Sequence, residues 1–390
     1  MRVFILTLSL IYERGNLMLC PLCSSNNIQS LYSEENVPVF QNKVYRSIDD
    51  AKKVTCGNIS LSFCKKCGFV WNSAFNPKLL EYDENYQNEQ GLSERFQQHL
   101  SMVCNLIGKE IPSGAHVREI GCGKAKFLFM MDALGYEISG YDPAYEGEDP
   151  RIIKSYYPPT NFNKEIEKAD IIILRHVLEH IQYPMDFLRN IALANDYSGL
   201  LYIEVPDFNW IVEHNALHDV FYEHCNYFSL SVLKGIFPDL VSSGLFFGGQ
   251  YCYIIIKLES LRHNVDTIHN VTNIPELKFH KYIKEWRGIL ENKRNFFIWG
   301  AGAKGATFLR LIDSDGELIS GVIDINPKKQ ERFIAKTAHK IYSQNDLNQL
   351  TPSGIIIMNG NYFKEIIETL KNESKIPIYV LGESILPLNI

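Results

Sequence analysis

The segment Val117–Gly123, VREIGCG, is the sequence feature that most restricts the fold. An apolar strand ends there in a Gly-x-Gly turn, the amphipathic stretch FLFMMDALGYE follows, and a second strand, ISGYD, ends in Asp142. This succession of strand, glycine turn, helix, strand and acid begins a nucleotide-binding βαβ unit. In such units, glycines like Gly121 and Gly123 let backbone amides approach a ligand closely, and the acid binds a ribose diol.

Details of this turn favour S-adenosylmethionine (SAM) over NAD as the ligand. Glu119 stands two residues before the first glycine, and Ala125 takes the place of the third glycine of the dinucleotide fingerprint. We therefore expect Glu119, Gly121, Gly123 and Asp142 to bind SAM. A tight turn without a ligand is the simpler alternative for an isolated Gly-x-Gly.

Two Cys-x-x-Cys pairs, Cys20 with Cys23 and Cys64 with Cys67, lie about forty residues apart. Each pair places two thiolates on one tight turn, and two such turns complete a tetrahedral site for Zn²⁺. Four protein ligands leave no open position, so the zinc is expected to be structural. The alternative is two redox pairs at the surface. A thiolate site implies a reducing compartment, and we expect a cytoplasmic protein.

Length and charge limit the possible partners. The chain has 390 residues, enough for two or three domains, and 46% of them are hydrophobic. The net charge is −6 and the basic residues are scattered, which argues against nucleic acid as the main partner. No apolar run approaches the roughly 18 residues of a membrane helix. We expect a small-molecule substrate, no nucleic-acid or membrane partner, and a monomer or dimer.

A second glycine turn occurs in FFIWGAGAKGATFLRLI, where Gly300, Gly302 and Gly305 separate a strand from a helix. Asp324 follows nineteen residues after Gly305, at the end of the next strand. The pattern predicts a second Rossmann-like unit. By pattern alone it is the better dinucleotide fingerprint of the two, so an NAD-dependent oxidoreductase is an alternative interpretation.

Polar residues follow the strand DIIIL of the first unit, in the order Arg175, His176, Glu179 and His180. The carboxyl end of a parallel strand faces the ligand, and histidine titrates near neutrality, so this group suits general acid–base chemistry. We expect His176 at the cofactor. The alternative is that either histidine caps the following helix.

A second polar group, Tyr222, Glu223 and His224, follows the next strand, which ends in IEVPD. These residues offer an acid, an orienting carboxylate and a base at the same sheet edge. The alternative is that they cap a helix that begins near Ser229.

Together these blocks resemble the sugar C-methyltransferases, SAM-dependent enzymes that act on nucleotide-linked 4-keto-deoxysugars. The resemblance covers nearly all of residues 19–385. It rests on the order of CPLC, CKKCGFVWN, VREIGCG, GYDP, LRHVLEHIQYP, IEVPD, FYEHCNYFS and WGAGAKGATFL followed by IDINPKKQ.

The resemblance implies an α/β protein with a class I (Rossmann-like) methyltransferase core, an N-terminal zinc module and a second Rossmann-like domain at the C-terminus. We expect a leader or over-extended start at 1–18, the zinc module at 19–76, a helical linker at 77–110, the SAM-binding core at 111–258, a linking helix at 259–294 and the C-terminal domain at 295–390.

The resemblance also implies roles for single residues. His180 matches a histidine that contacts the sugar, and Glu223 and His224 match an acid and a base at the reacting carbon. A family tyrosine matches Tyr86, with Tyr82 as the rival. The family has a tyrosine where this chain has Phe221. The residues expected to hold the nucleotide part of the substrate are Gly300, Gly302, Lys304, Gly305, Asp324 and Asn361.

The expected reaction is methylation of a carbon next to a ketone. His224, directly or through Tyr222, removes the proton, and His180 donates a hydrogen bond to the enolate oxygen. Departures from the family pattern in FIAKTAHKI leave a sugar or polysaccharide O-methyltransferase as the first alternative. A non-catalytic binding protein is the last.

Overall fold

The computed structural model describes residues 18–80, 91–158, 167–237, 239–262, 273–370, 376–382 and 384–388. Two expectations fall elsewhere: the leader, of which only residue 18 is described, and the tyrosine at position 86 or 82. They lie outside the described residues.

The N-terminal part is an antiparallel sheet beside the four spaced cysteines. Cys64 ends one strand, and Gly68, with a φ of +77°, allows the tight turn that carries Cys67. The elements are β1 (Ile28–Pro38), β2 (Val44–Tyr45), α1 (Ile48–Lys52), β3 (Cys56–Cys64) and β4 (Val70–Asn72).

The middle part alternates strands with helices. Its first helix begins at the N-cap Ser93, whose hydroxyl accepts the Phe96 N–H. The elements are α2 (Glu94–Glu110), β5 (His116–Ile120), α3 (Lys126–Ala133), β6 (Glu137–Tyr141), β7 (Ile152–Ile153), β8 (Ile171–Arg175), α4 (Pro184–Ala194), β9 (Leu200–Pro206), α5 (Phe208–Glu213), β10 (Asn226–Tyr227), α6 (Leu230–Ile236), β11 (Leu240–Phe246) and β12 (Tyr251–Lys257).

Seven of these strands form one sheet in the order β11-β12-β9-β8-β5-β6-β7. All pairs from β9 to β7 are parallel, whereas β12 runs antiparallel to both of its neighbours. Alternate residues of β8 enter two different cores: Ile171 and Ile173 pack with α2 and α3, and Ile172 and Leu174 pack with α4 and α6. Helices therefore cover both faces, which explains the unbroken apolar run of this strand.

The C-terminal part is a second, mostly parallel sheet in the order β16-β14-β13-β17-β18-β19, in which only β19 is antiparallel. The elements are α7 (Phe279–Leu290), β13 (Phe296–Trp299), α8 (Ala303–Ile312), β14 (Ile319–Ile323), β15 (Phe333–Ile334), β16 (Ile341–Tyr342), α9 (Leu347–Leu350), β17 (Gly354–Ile357), α10 (Phe363–Thr369), β18 (Ile378–Val380) and β19 (Ser384–Leu388).

The N-terminal part is joined to both of the others by strand pairing. Its sheet has the order β1-β3-β4-β10, because Asn226 and Tyr227 of the middle part pair antiparallel with Trp71 and Val70. A separate two-stranded ladder joins β2 to β15 of the C-terminal part. The segment FYEHCNYFS is thus held by the N-terminal sheet.

β11 and β12 form an antiparallel pair at the sheet edge, and β11 ends at Phe246. The reason is that Phe247, Gly248 and Gly249 all have positive φ and form the connecting turn. None of the described helices combines the length and the apolar character that a membrane span requires.

Candidate active site

A cleft of ≈ 270 Å³ lies where the three parts of the molecule meet. Side chains at the carboxyl ends of β8 and β9 line one wall, and the glycine turn between β13 and α8 lines another. Asn42, from the N-terminal part, also contacts the cleft. Of the residues predicted from sequence, the cleft brings together His176, His180, His224, Gly300, Gly302, Lys304, Gly305 and Asp324.

His176 sits directly after β8 in a left-handed conformation, with a φ of +53°. Its ring lies between two carboxylates: Nδ1 is 3.5 Å from Glu179 Oε1, and Nε2 is 3.4 Å from Glu204 Oε1. Burial opposes a charge on this ring, but the two carboxylates outweigh it and raise the pKa of His176 to about 9. The ring is therefore a cation at neutral pH.

Glu204 is fully buried at the end of β9 and is the centre of a charged network. Its carboxylate contacts His99 Nε2 at 3.1 Å and accepts the Tyr202 hydroxyl at 2.7 Å. Burial alone would raise the pKa of Glu204, but hydrogen bonds with His176 and His99 and the nearby charge of Arg175 hold it well below the usual range. Sequence reasoning missed His99 because it lies on the buried face of amphipathic α2, where only its polarity among apolar neighbours marks it.

His180 has a fixed tautomer. Its Nδ1 lies 2.8 Å from the backbone carbonyl of Glu223. A carbonyl oxygen can only accept, so Nδ1 carries the hydrogen, and Nε2 is the ring nitrogen left for a ligand.

His224 lies beside His180, with ring centroids 4.8 Å apart, and beside Phe221, with centroids 4.0 Å apart. Burial lowers the pKa of His224 well below its usual value, and the nearby His180, His176 and Lys304 lower it further. The ring is therefore neutral at physiological pH and offers a lone pair to the cleft.

Tyr222 and Glu223 do not line the cleft among the described residues. The Tyr222 side chain is fully buried, and its hydroxyl accepts the Asn76 N–H at 2.8 Å and lies 3.2 Å from the Asn76 carbonyl. The Glu223 carboxylate accepts the Gln41 N–H at 3.0 Å. Both side chains anchor the histidine segment to the N-terminal part.

The first glycine turn lies between β5 and α3, beside the end of β6. The Asp142 carboxylate accepts the N–H groups of Gly123 and Ala144, each at 2.7 Å, and so braces the turn. Space beside Gly123 is open, since an added Cβ would meet no atom within 4 Å. An exposed turn next to a half-buried acid fits the binding of SAM. This turn does not line the ≈ 270 Å³ cleft among the described residues.

Glu119 is placed differently from the expected ligand contact. It is 2% exposed, and its Oε1 lies 3.2 Å from Arg175 Nη1. Burial raises the pKa of Glu119 to about 7, although Arg175 opposes this shift. The contact between Glu119 and Arg175 therefore holds the end of β8 against β5.

The second glycine turn is braced in the same manner as the first. The Asp324 carboxylate accepts the N–H groups of Ala301 at 2.7 Å and Asn326 at 2.8 Å, so both of its oxygens are engaged. Lys304, in the first turn of α8, is bound by the carboxylate of Asp219 from the middle part. Burial lowers the pKa of Lys304, and Asp219 opposes the shift.

Two further residues of this wall were not predicted. Lys329 is 6% exposed and donates to the Ala301 carbonyl at 3.1 Å. Asn326 is 5% exposed, and its Nδ2 has no hydrogen-bond partner among the described residues. The signal was present as Asn-Pro-Lys-Lys after a strand, but sequence does not tell which lysine turns inward.

Asn361 contacts the middle part instead of lining the cleft. Its Nδ2 donates to Gln250 Oε1 at 3.1 Å, as does Nδ2 of Asn359 at the same distance. Asn359 and Gln250 do line the cleft. The two asparagines therefore join the C-terminal sheet to the turn between β11 and β12.

The four spaced cysteines converge. The Sγ atoms of Cys20 and Cys67 are 3.6 Å apart, those of Cys23 and Cys64 are 3.5 Å apart, and all four lie within 4.8 Å of one another. Sulfurs around a tetrahedral Zn²⁺ with bonds of about 2.3 Å are roughly 3.8 Å apart. The geometry fits such an ion.

Comparison with known proteins gives two family matches. Residues 92–240 match the methyltransferase domain, and residues 278–376 match the C-methyltransferase C-terminal domain. The chain therefore contains a methyltransferase domain, and the mostly parallel seven-stranded sheet of that domain agrees with the class I core that the sequence predicts. More narrowly, it carries the C-terminal domain of the C-methyltransferases, and the glycine turn that suggested an NAD enzyme lies inside that domain.

A curated relative is the C-methyltransferase NovU of Streptomyces niveus, which is 23% identical over 232 residues. The match covers 56% of this chain and 54% of NovU, so the chain spans about half the length of that relative.

Solved structures show weaker similarity. PH0226 protein from Pyrococcus horikoshii OT3 is 13% identical, with a TM-score of 0.32 over 45% of this chain and 98% of that chain. Magnesium protoporphyrin IX methyltransferase from Synechocystis PCC 6803, solved with bound SAM, is 14% identical, with a TM-score of 0.29 over 41% and 78%.

Proposed function

We propose that this protein transfers a methyl group from SAM to a carbon of a nucleotide-linked keto-deoxysugar. The observation that carries the proposal is that one cleft is lined both by a neutral histidine, His224, and by a glycine turn with a buried lysine. A ligand with a reactive sugar at one end and phosphate at the other suits both walls. The C-terminal domain match and the similarity to NovU support carbon as the methylated atom.

His224 is the base of the proposed reaction. A ketone acidifies the neighbouring C–H, and a neutral imidazole in the cleft takes that proton. The depressed pKa of His224 keeps its lone pair available at neutral pH. The electron pair left on the carbon then attacks the methyl group, which SAM supplies from its sulfonium.

His180 positions the sugar in this proposal. With Nδ1–H donated to the Glu223 carbonyl, its Nε2 accepts a hydrogen bond from a sugar hydroxyl. Tyr222 and Glu223 hold the segment in place from behind. Gly123 and Asp142 hold SAM, through an open turn and its bracing carboxylate.

The phosphate end belongs at the second glycine turn. α8 begins there, so its first backbone N–H groups favour an anion. The Lys329 ammonium and the Asn326 amide add two donors. Lys304 contributes less because Asp219 already binds it.

The test is a comparison of His224→Ala with His280→Ala, which alters an exposed histidine on α7. A base acts only in the chemical step, so His224→Ala should lower kcat by about 10²–10⁴-fold with SAM affinity unchanged. The control should retain native kcat.

NMR of the product distinguishes methylation of carbon from methylation of oxygen. A methyl group bonded to carbon supports the proposal. A methyl group bonded to oxygen would falsify carbon methylation and leave His224 as the base for a hydroxyl. A His224→Ala protein that exchanges the substrate α-hydrogen with D₂O at the native rate refutes the base assignment.

A further inference from the structure

Three side chains in the wall of the cleft form a cluster of possible metal ligands. Glu179, His180 and His224 each point a carboxylate oxygen or ring nitrogen at the others, and these atoms lie within 4.8 Å of one another. The group is separate from the four cysteines.

The Glu179 carboxylate lacks hydrogen bonds. The residue is 1% exposed, and neither oxygen accepts a hydrogen bond from the described residues. Its nearest cation is the His176 ring, at 3.5 Å. The His176 ring lies near Oε1, whereas the buried Oε2 has no hydrogen-bond donor among the described residues, which is unfavourable. The oxygens are therefore suited to a cation that enters through the cleft.

His180 is prepared as a ligand by its contact with the backbone. Its Nδ1–H is held by the Glu223 carbonyl, which orients the ring and leaves Nε2 as the nitrogen that can bind a metal ion. Metal-binding histidines almost always donate their second ring nitrogen in this manner. His224 packs edge-on against His180 and completes a pair of imidazoles.

We propose that Glu179, His180 and His224 bind a divalent transition-metal ion such as Zn²⁺. Two imidazoles and one carboxylate are a set that Zn²⁺ accepts when its remaining coordination position stays open, here toward the cleft. Ligand atoms about 2.1 Å from a tetrahedral ion are roughly 3.4 Å apart, so side-chain shifts of about 1 Å close the site.

The consequence for turnover rests on the proposed function. A metal ion bound by His224 occupies the lone pair that would take the substrate proton. The ion also fills the sugar end of the cleft. It therefore inhibits methyl transfer and competes with the keto-sugar rather than with SAM.

The experiment uses full-length protein whose cysteine site is filled with zinc, titrated with cobalt(II) as a coloured probe. We expect one further equivalent to bind, with visible d–d bands and without the thiolate-to-cobalt charge-transfer bands of a cysteine site. Glu179→Gln should weaken this binding at least about tenfold. Glu365→Gln is the matched control, because its carboxylate lines the same cleft but accepts the Ser93 hydroxyl outside the group.

Absence of the d–d bands, or equal cobalt affinity in the Glu179 and Glu365 variants, overturns the site. His180→Asn gives a second ligand deletion if Glu179→Gln fails to fold, and native affinity in that variant has the same meaning. Cobalt that binds as expected but leaves turnover unchanged refutes His224 as the base and leaves the metal site intact. The two proposals therefore fail in different ways.

Discussion

At the residue scale, Lys328 and Lys329 are neighbours in sequence with opposite surroundings. Lys328 is exposed and lies 3.4 Å from Glu146, in an ion pair that is itself solvated. Lys329 is buried at the second glycine turn. Burial lowers the pKa of Lys329, and the nearby Asp324 only partly restores it. Burying an ammonium group at the wall of a cleft is unfavourable unless an anion binds to it.

The first prediction compares these two lysines. Lys329→Ala should weaken binding of a nucleoside diphosphate by about 10–100-fold, since a charged hydrogen bond contributes roughly 1.5–3 kcal/mol. Lys328→Ala should change the affinity less than about twofold, because exposed ion pairs contribute little. Calorimetric titration measures both. Equal losses in the two variants would contradict the assignment.

The same lysine gives a pH dependence. The pKa of Lys329 is lowered, so it loses its proton below the usual lysine range as the pH rises. An anion prefers the protonated form, so nucleotide affinity should fall with rising pH before ordinary lysines titrate. Affinity measured between pH 7 and 10 checks this. The fall should be absent in Lys329→Ala, and a fall that persists there assigns it to another group.

The third prediction compares Asp142 and Asp324, the acids that accept hydrogen bonds from the first and the second glycine turn. Asp142→Ala should weaken SAM binding by about 1–3 kcal/mol, because the carboxylate braces the first turn and, in the proposed function, helps to hold SAM. Asp324 braces only the second turn, so Asp324→Ala should leave SAM affinity unchanged. Calorimetry with SAM distinguishes them, and the reverse pattern would move the SAM site to the C-terminal sheet.

At the element scale, the long strands and helices could be predicted from sequence and the shortest strands could not. The strand DIIIL is recognisable from its unbroken apolar run. The helix α8 is recognisable from the spacing of its apolar residues and from the glycine turn before it. β2, β7, β10, β15 and β16 have two residues each, too few for any period, and each is defined by the strand that pairs with it. His99 was missed for a related reason: its partner, Glu204, comes from another element.

The fourth prediction concerns the contact between β3 and the histidine segment. An added Cβ at Gly57 would lie 2.2 Å from the Tyr222 ring, so Gly57→Ala should displace Tyr222 and with it His224. We expect kcat to fall on the order of 10–100-fold, with SAM affinity retained. Gly288→Ala, in α7, is the control because its Cβ would meet no atom within 4 Å. Native kcat in Gly57→Ala would show that the segment tolerates displacement.

At the scale of the whole molecule, the N-terminal part connects the other two. It pairs with the middle part through β4 and β10 and with the C-terminal part through β2 and β15. Glu34 also accepts a hydrogen bond from Arg310 at 2.9 Å. The cysteine site is therefore connected to the cleft through a continuous sheet.

The fifth prediction follows from this connection. Cys64→Ser, or chelation of the zinc, should abolish the one equivalent of zinc and loosen the N-terminal sheet. Turnover should fall because β10 loses its partner, while SAM should still bind the middle part. Metal analysis, turnover and calorimetry on one sample check all three. A Cys64→Ser protein with full zinc, or a zinc-free protein with native turnover, contradicts the prediction.

The pairing of β4 with β10 also sets an order of events during synthesis. The ribosome releases β4 roughly 150 residues before β10, an interval of about 8–30 s at 5–20 residues per second. Until then the N-terminal sheet has an open edge, a template for mispairing with other nascent chains. At three residues β4 is a short edge, which limits that hazard while the chain waits for its last strand.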